Sequence, residues 1–258
     1  MSTTLHPAAF IDPAAQLGVG VSVGPGALIG PHVTIGDRTS VGSHALITGW
    51  TRIGRDCRLH HGAVLGSPPQ DLKYAGESSF LEIGDETEVR EYVTANLATE
   101  AGATTRVGSH CLLMAYSHVA HNCQLGDHVI LANAVQMAGY VTVEDWAIVG
   151  GGTVIHQFVR VGRHSMIGGG SRIPQDVAPF IKLAGSPPRL AGINSVGLER
   201  RGFSPESRAA LERAYRILFR ARLTVEEAVR RMRSELPEVA EVEVLARFAE
   251  TSSRGLSR

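Results

Sequence analysis

The chain has 258 residues, enough for one large domain, or for one domain and a small appendage, with a core that needs no disulfide or metal staple. Its 25 basic and 25 acidic residues cancel, which removes any global pull toward a polyanion such as nucleic acid. Three cysteines exclude a disulfide framework and fit a reducing compartment.

The N-terminus, Met1 to Pro7, has neither the basic nor the long apolar region of a secretory signal. No apolar run reaches the roughly 18 residues of a membrane span. A cytoplasmic protein that is not integral to a membrane is therefore expected. From Leu5 a period of six begins: Leu17-Gly18, Val23-Gly24, Ile29-Gly30, Ile35-Gly36 and Val41-Gly42 repeat an aliphatic-glycine pair. Continued to Ile173, the register has 29 positions, and Leu, Ile, Val or Met fills 25 of them. The exceptions are Asp71, Glu77, Ala95 and Ala101. They fall as two adjacent pairs, so the pattern predicts two loops that leave the array, near 66–80 and 95–105.

The position four after each aliphatic is small or β-branched, as in Val21, Ala27, Val33, Thr39, Ala45 and Cys57. Large and small residues at these offsets describe short strands joined by turns. Three strands make a coil of 18 residues, and stacked coils make a parallel β-helix. An interior filled by stacked aliphatics also explains why aromatics are only 5% of the chain and glycines number 29. Cys57, Cys111 and Cys123 take the small interior position and read as packed thiols. His32, His44, His110, His128 and His164 share a corner position and read as exposed turn residues.

After Ile173 the hexads dissolve among Pro174, Pro179, Pro187 and Pro188. From about Phe203 the period becomes helical. Ser204-Pro205 is a helix start, Thr224-Val225-Glu226-Glu227 a capping box, and Pro237 opens a third helix. The chain thus divides into a β-helix over 1–190 and a helical domain over 191–258. Residues 201–258 carry 12 basic against 9 acidic side chains, which suits a solvated helix surface or a patch that meets an acidic carrier protein.

The 18-residue ruler stacks His121, Gly139 and Gln157 on one edge, with Asn122, Tyr140 and Phe158 beside them. A histidine that can take a hydroxyl proton and a backbone N–H that can hold an oxyanion fit acyl transfer. Solvated edge residues are the alternative. His118 and His121 could also begin a zinc site, but no third converging histidine is evident.

These residues, with Gln70-Asp71-Leu72-Lys73-Tyr74-Ala75-Gly76-Glu77, His118-Val119-Ala120-His121, His156-Gln157-Phe158, Asn194, and Gly197 through Phe203, resemble the UDP-N-acetylglucosamine O-acyltransferase family. The resemblance covers nearly the whole chain. It implies a left-handed coil, a homotrimer, and sites in the grooves between subunits. It implies His121 as general base toward the sugar 3-hydroxyl, Gly139 as oxyanion donor, and a 3-hydroxyacyl donor carried on the phosphopantetheine of acyl carrier protein. Gln70, and Asp71 and Lys73 from a neighbouring subunit's loop, would hold the sugar nucleotide. His118, Asn122, Tyr140, His156 and Gln157 would line the sugar and acyl pocket, and Gly169 would set acyl length. Asn194, Arg200 and Arg201 would bind uridine diphosphate. No metal or bound cofactor is implied.

The chain departs from the family pattern in places. Asn122 stands where aspartate is common, Tyr140 where histidine is frequent, and Val196 where an acidic residue can contact uridine. Ala95 to Thr99 replaces a His-Arg-Gly-Thr stretch. Transfer to the amine of a UDP-3-amino sugar, and a non-catalytic trimeric scaffold, are the alternatives these departures leave open.

Overall fold

The structure, a computed structural model, describes residues 3–237 and 239–258. The hexads form strands mostly two residues long, such as Ser22–Val23, Leu28–Ile29 and Thr34–Ile35. Successive strands join three different sheets in turn, and each pairs in parallel with the strand one coil on. The offset is 18 residues: Thr4 pairs with Ser22, Leu28 with Leu46 and Gln16 with Thr34. The aliphatic of each hexad points inward, and Ile29, Ile47 and Leu65 have no exposed surface. Each such side chain contributes about 1.5–3 kcal/mol on burial. The small positions are interior as well, including Cys57, Cys111 and Cys123. Buried Thr39 is satisfied by donating to the Gly54 carbonyl (2.8 Å) and accepting from Cys57 N–H (3.0 Å).

The corners explain how so many non-glycine residues adopt left-handed backbone. His44, His110, Asn122, His128, Tyr140 and Phe158 all have φ between 54° and 66°. That conformation costs about 1 kcal/mol or more for a side-chain-bearing residue. It lets each corner N–H donate to the coil before it: Tyr140 to the His121 carbonyl (3.0 Å), Phe158 to Gly139 (3.2 Å), His128 to Ser109 (2.9 Å). It also stacks the corner side chains. His110 lies on His128 at 4.7 Å, His128 on Trp146 at 3.8 Å, and Trp146 on His164 at 6.1 Å. The expectation of exposed corner histidines is therefore corrected for His128 and His164, which are half-buried in this ladder.

The first excursion leaves after Val64–Ser67 and returns at Phe80–Ile83. The second is shorter than expected. Ala95 lies within the strand Thr94–Asn96, fully buried, paired with Leu65 and Val119. The chain leaves only from Leu97, which is itself buried in the core, and returns at Thr104. Beyond the hexads, Ile181–Gly185 adds in parallel to Met166–Ile167, then turns back antiparallel onto Pro188–Ile193.

Among the described residues four helices follow: α1 (Ser195–Arg200), α2 (Pro205–Arg220), α3 (Val225–Glu235) and α4 (Ala240–Glu250). The sequence did not signal α1. Ser204 caps α2 with Pro205 in its first turn, and Thr224 with Glu227 forms the capping box of α3. Ala214, Leu218, Val229, Met232, Leu245 and Phe248 build a second core. Buried Asp176 fastens this domain to the prism. Its carboxylate accepts from Arg160 N–H (2.8 Å) and Ser252 Oγ (2.7 Å), and its carbonyl accepts from Ser257 N–H (2.8 Å). No described helix is long and apolar enough to cross a membrane.

Candidate active site

The site forms where the second excursion meets a prism corner. The strand His118–Val119 ends one coil edge, and the next turn carries His121 and Asn122. His121 is 7% exposed, so its ring is held by protein rather than by solvent. Its Nδ1 lies 2.9 Å from Asn122 Oδ1 and 3.0 Å from Thr99 Oγ1. Thr99 Oγ1 in turn donates to Asp71 Oδ2 at 3.4 Å. With both Nδ1 neighbours placed to accept, the proton belongs on Nδ1 and the Nε2 lone pair is left free. Asp71 Oδ2 stands 3.9 Å from Nε2.

Gly139 follows one coil later. A Cβ at this position would meet the His121 ring at Cε1 and Nε2, so only glycine leaves room for the imidazole. Among the described residues no acceptor takes the Gly139 N–H.

The first excursion delivers Asp71 to the same place. Its carboxyl accepts from the Lys73 backbone N–H at 3.0 Å, and this bond and nearby His121 hold it below the usual carboxylate range. The structure brings Asp71 beside the His121 of its own chain, whereas the resemblance implied a loop from a neighbouring subunit. Gln70 and Lys73 are exposed on the same loop. His118 is partly buried, with Nδ1 2.6 Å from Thr94 Oγ1, and burial and nearby His121 depress its basicity. Tyr140 meets the His121 ring edge-on at 5.4 Å, and its hydroxyl donates to Glu100. That carboxylate pushes the phenol up to about 12. His156 and Gln157 continue the column, and Phe158, half exposed, packs on Tyr140 at 5.0 Å. Further along, Gly169 sits over the backbone of Gly151.

The remaining candidates form a second group near the helical domain. Arg201 lies over the Trp146 ring at 5.0 Å and 3.4 Å from His164 Nδ1. Burial and this cation push His164 down to about 4. Arg200 is exposed. Asn194 is buried: its Oδ1 caps α1 through Gly197 N–H, and its Nδ2 donates to the His164 carbonyl at 3.0 Å. It stands apart from the His121 cluster and has both ends of its amide engaged. Thr99 and Glu100 were not among the residues singled out from sequence. Thr99 entered only as the last residue of the stretch that replaces His-Arg-Gly-Thr, and Glu100 not at all; the path of the excursion brings both to the corner.

The hexad coils and a histidine-glycine edge define the class of hexapeptide-repeat transferases. Residues 14–49 and 104–139 match the bacterial transferase hexapeptide family, and 176–257 match the family described as UDP N-acetylglucosamine O-acyltransferase, domain 2. The acyl-[acyl-carrier-protein]--UDP-N-acetylglucosamine O-acyltransferase of Thermodesulfovibrio yellowstonii is 44% identical, over 98% of this chain and 99% of that protein. The Chlorobaculum tepidum enzyme of the same name is 58% identical over 77% of this chain and 76% of its own length. The solved structure of LpxA from Acinetobacter baumannii superposes with a TM-score of 0.96 at 42% identity, covering 98% of this chain and 99% of that one. LpxA from Bacteroides fragilis gives 0.96 at 40% identity, with 98% and 99% covered. The chain belongs to the UDP-N-acetylglucosamine O-acyltransferase family, and its prism is the left-handed β-helix.

Proposed function

We propose that the chain moves a 3-hydroxyacyl group from acyl carrier protein to the 3-hydroxyl of UDP-N-acetylglucosamine, the first step of lipid A biosynthesis. The observation that carries this is the His121 corner: a base with its Nδ1 proton fixed, beside a glycine N–H that no group among the described residues accepts. His121 Nε2 takes the proton as the sugar oxygen attacks the thioester carbon. The Gly139 N–H holds the charge that develops on the carbonyl oxygen. Collapse expels the phosphopantetheine thiolate, which recovers the proton from His121. The donor carries its activation in the thioester, so the reading involves no metal or resident cofactor.

Other residues take supporting parts. Gln70, Asp71, Lys73, His118, His156 and Gln157 line the sugar and acyl groove. A side chain at Gly169 would shorten that groove. Arg200 and Arg201 offer planar forks to the diphosphate, with Asn194 shaping the backbone there. The outward row Phe10, Leu28, Leu46 and Val64 is apolar and runs on the same sheet to Thr94 and His118. Phe10 is 65% exposed, which favours a subunit contact in a homotrimer with sites along that face. On the helical domain, Arg216, Arg220 and Arg231 rim a shallow hollow floored by Ile217 and Ala221, which suits an acidic carrier protein. A cytoplasmic location follows from where such donors are made.

The test is a reaction of the purified protein with 3-hydroxyacyl carrier proteins of several lengths and UDP-N-acetylglucosamine. Mass spectrometry should show one acyl ester on the sugar. Hydrolysis of the thioester without sugar acylation contradicts the reading.

A further inference from the structure

We infer that Glu100 is a positioning residue for the transfer, its carboxylate acting on His121 through the Asn122 amide. The inference rests on the reading of His121 as the general base. Asn122 Oδ1 faces two groups, the Thr99 backbone N–H at 3.0 Å and His121 Nδ1 at 2.9 Å. Thr99 N–H can only donate, so the oxygen of the amide must lie on this side. The amide nitrogen then points the other way and donates to Glu100 Oε2 at 2.7 Å. The second Glu100 oxygen accepts from Tyr140, whose ring packs edge-on against His121. Glu100 thus anchors both neighbours of the imidazole.

This arrangement has a chemical consequence. A neutral amide beside Nδ1 fixes the tautomer but offers no charge to the imidazolium formed during transfer. Glu100, bonded to the far end of that amide, polarises it and makes Oδ1 a better acceptor. The carboxylate that commonly stands at position 122 in the family is here displaced outward by one hydrogen bond, onto the loop. The Tyr140 and Asn122 bonds hold Glu100 below the usual carboxylate range, so it is charged at neutral pH. The other ionisable groups near His121 are Asp71 and His118, with Lys73 beyond Asp71 on the loop. Asp71 reaches Nδ1 only through Thr99 Oγ1, and none of the three is bonded to Asn122.

Glu100→Gln removes the charge with little change of shape. It should lower kcat about tenfold, leave KM for the sugar nucleotide within about twofold, and move the acid limb of the pH profile to lower pH. Asn122→Asp alone sets two carboxylates at hydrogen-bond distance and should also impair turnover. The double variant Glu100→Gln/Asn122→Asp exchanges the two groups. The new glutamine amide donates to the new aspartate, the bond survives with its direction reversed, and the charge sits beside His121. Its kcat should recover to within about threefold of the parent. Histidine NMR titration of the same proteins reads the relay without turnover. The His121 titration should move to lower pH in Glu100→Gln and return at least to the parental position in the double variant. An unmoved His121 titration in Glu100→Gln, or a double variant that titrates like Glu100→Gln, would overturn the inference. A parent protein without transferase activity would count against the proposed function alone, since the titration still decides the relay.

Discussion

The imidazole of His121 fills the space that a side chain on residue 139 would need. Gly139 lies outside the left-handed region, so its backbone accepts alanine. The clash is with the His121 ring and not with the main chain. Gly139→Ala should therefore lower kcat by about 10²-fold or more, by displacing the base and crowding the oxyanion donor. Its melting temperature should stay within about 4 °C of the parent. Steady-state kinetics beside a thermal melt check this, and parental kcat in a folded Gly139→Ala protein contradicts it.

Arg201 stacks on Trp146 while facing His164. A lysine keeps the charge but loses the planar stack and the two-pronged grip on phosphate that the proposed function assigns to Arg201. Arg201→Lys should raise KM for the sugar nucleotide about tenfold with kcat within about twofold. Initial-rate measurements at varied UDP-N-acetylglucosamine separate the two parameters. A fall in kcat at unchanged KM speaks against a binding role.

The half-buried His164 is held neutral, down to about 4, while the unfolded chain protonates it near the ordinary histidine value. His118 and His128 shift in the same direction through burial. The unfolded state thus binds more protons between about pH 6.5 and pH 4, so stability contributed by these groups is present above that window and lost as pH falls through it. Denaturant titrations should show this decline. His164→Phe, which keeps an aromatic ring in the ladder, should flatten it. A slope unchanged in that variant contradicts the assignment to His164.

The three thiols lie in the prism interior. Burial raises all three, Cys111 to about 11 and Cys123 to about 12. At pH 8 an alkylating reagent should label none of them in the native protein over an hour and all three in denaturant. Mass spectrometry counts the adducts. Native labelling of Cys123 would indicate a core that opens far more readily than this packing allows.

Much of the fold was legible because each coil repeats one physical solution. A large residue every six positions and a small one four later leave a single way to stack, and Ile29, Ile47 and Leu65 obey it. Ala95 broke the pattern by size alone. The strand continues through it because its partners Leu65 and Val119 keep their register. The corner ladder was also visible in principle, since His110, His128, Trp146 and His164 stand 18 apart. Taken singly the three histidines are turn residues, but rings one coil apart stack. The His121 and Gly139 edge followed from the same ruler. Thr99 and Glu100 did not, because a loop of irregular backbone obeys no period. The hairpin Ile181–Gly185 with Pro188–Ile193 was hidden by the prolines that bound it.

The central claim is that His121 is the base for acyl transfer. Its most direct measurement is kcat of a folded, parental-sized His121→Ala protein with 3-hydroxyacyl carrier protein and UDP-N-acetylglucosamine. A fall of about 10²–10⁴-fold is expected. Turnover near the parental rate would contradict it.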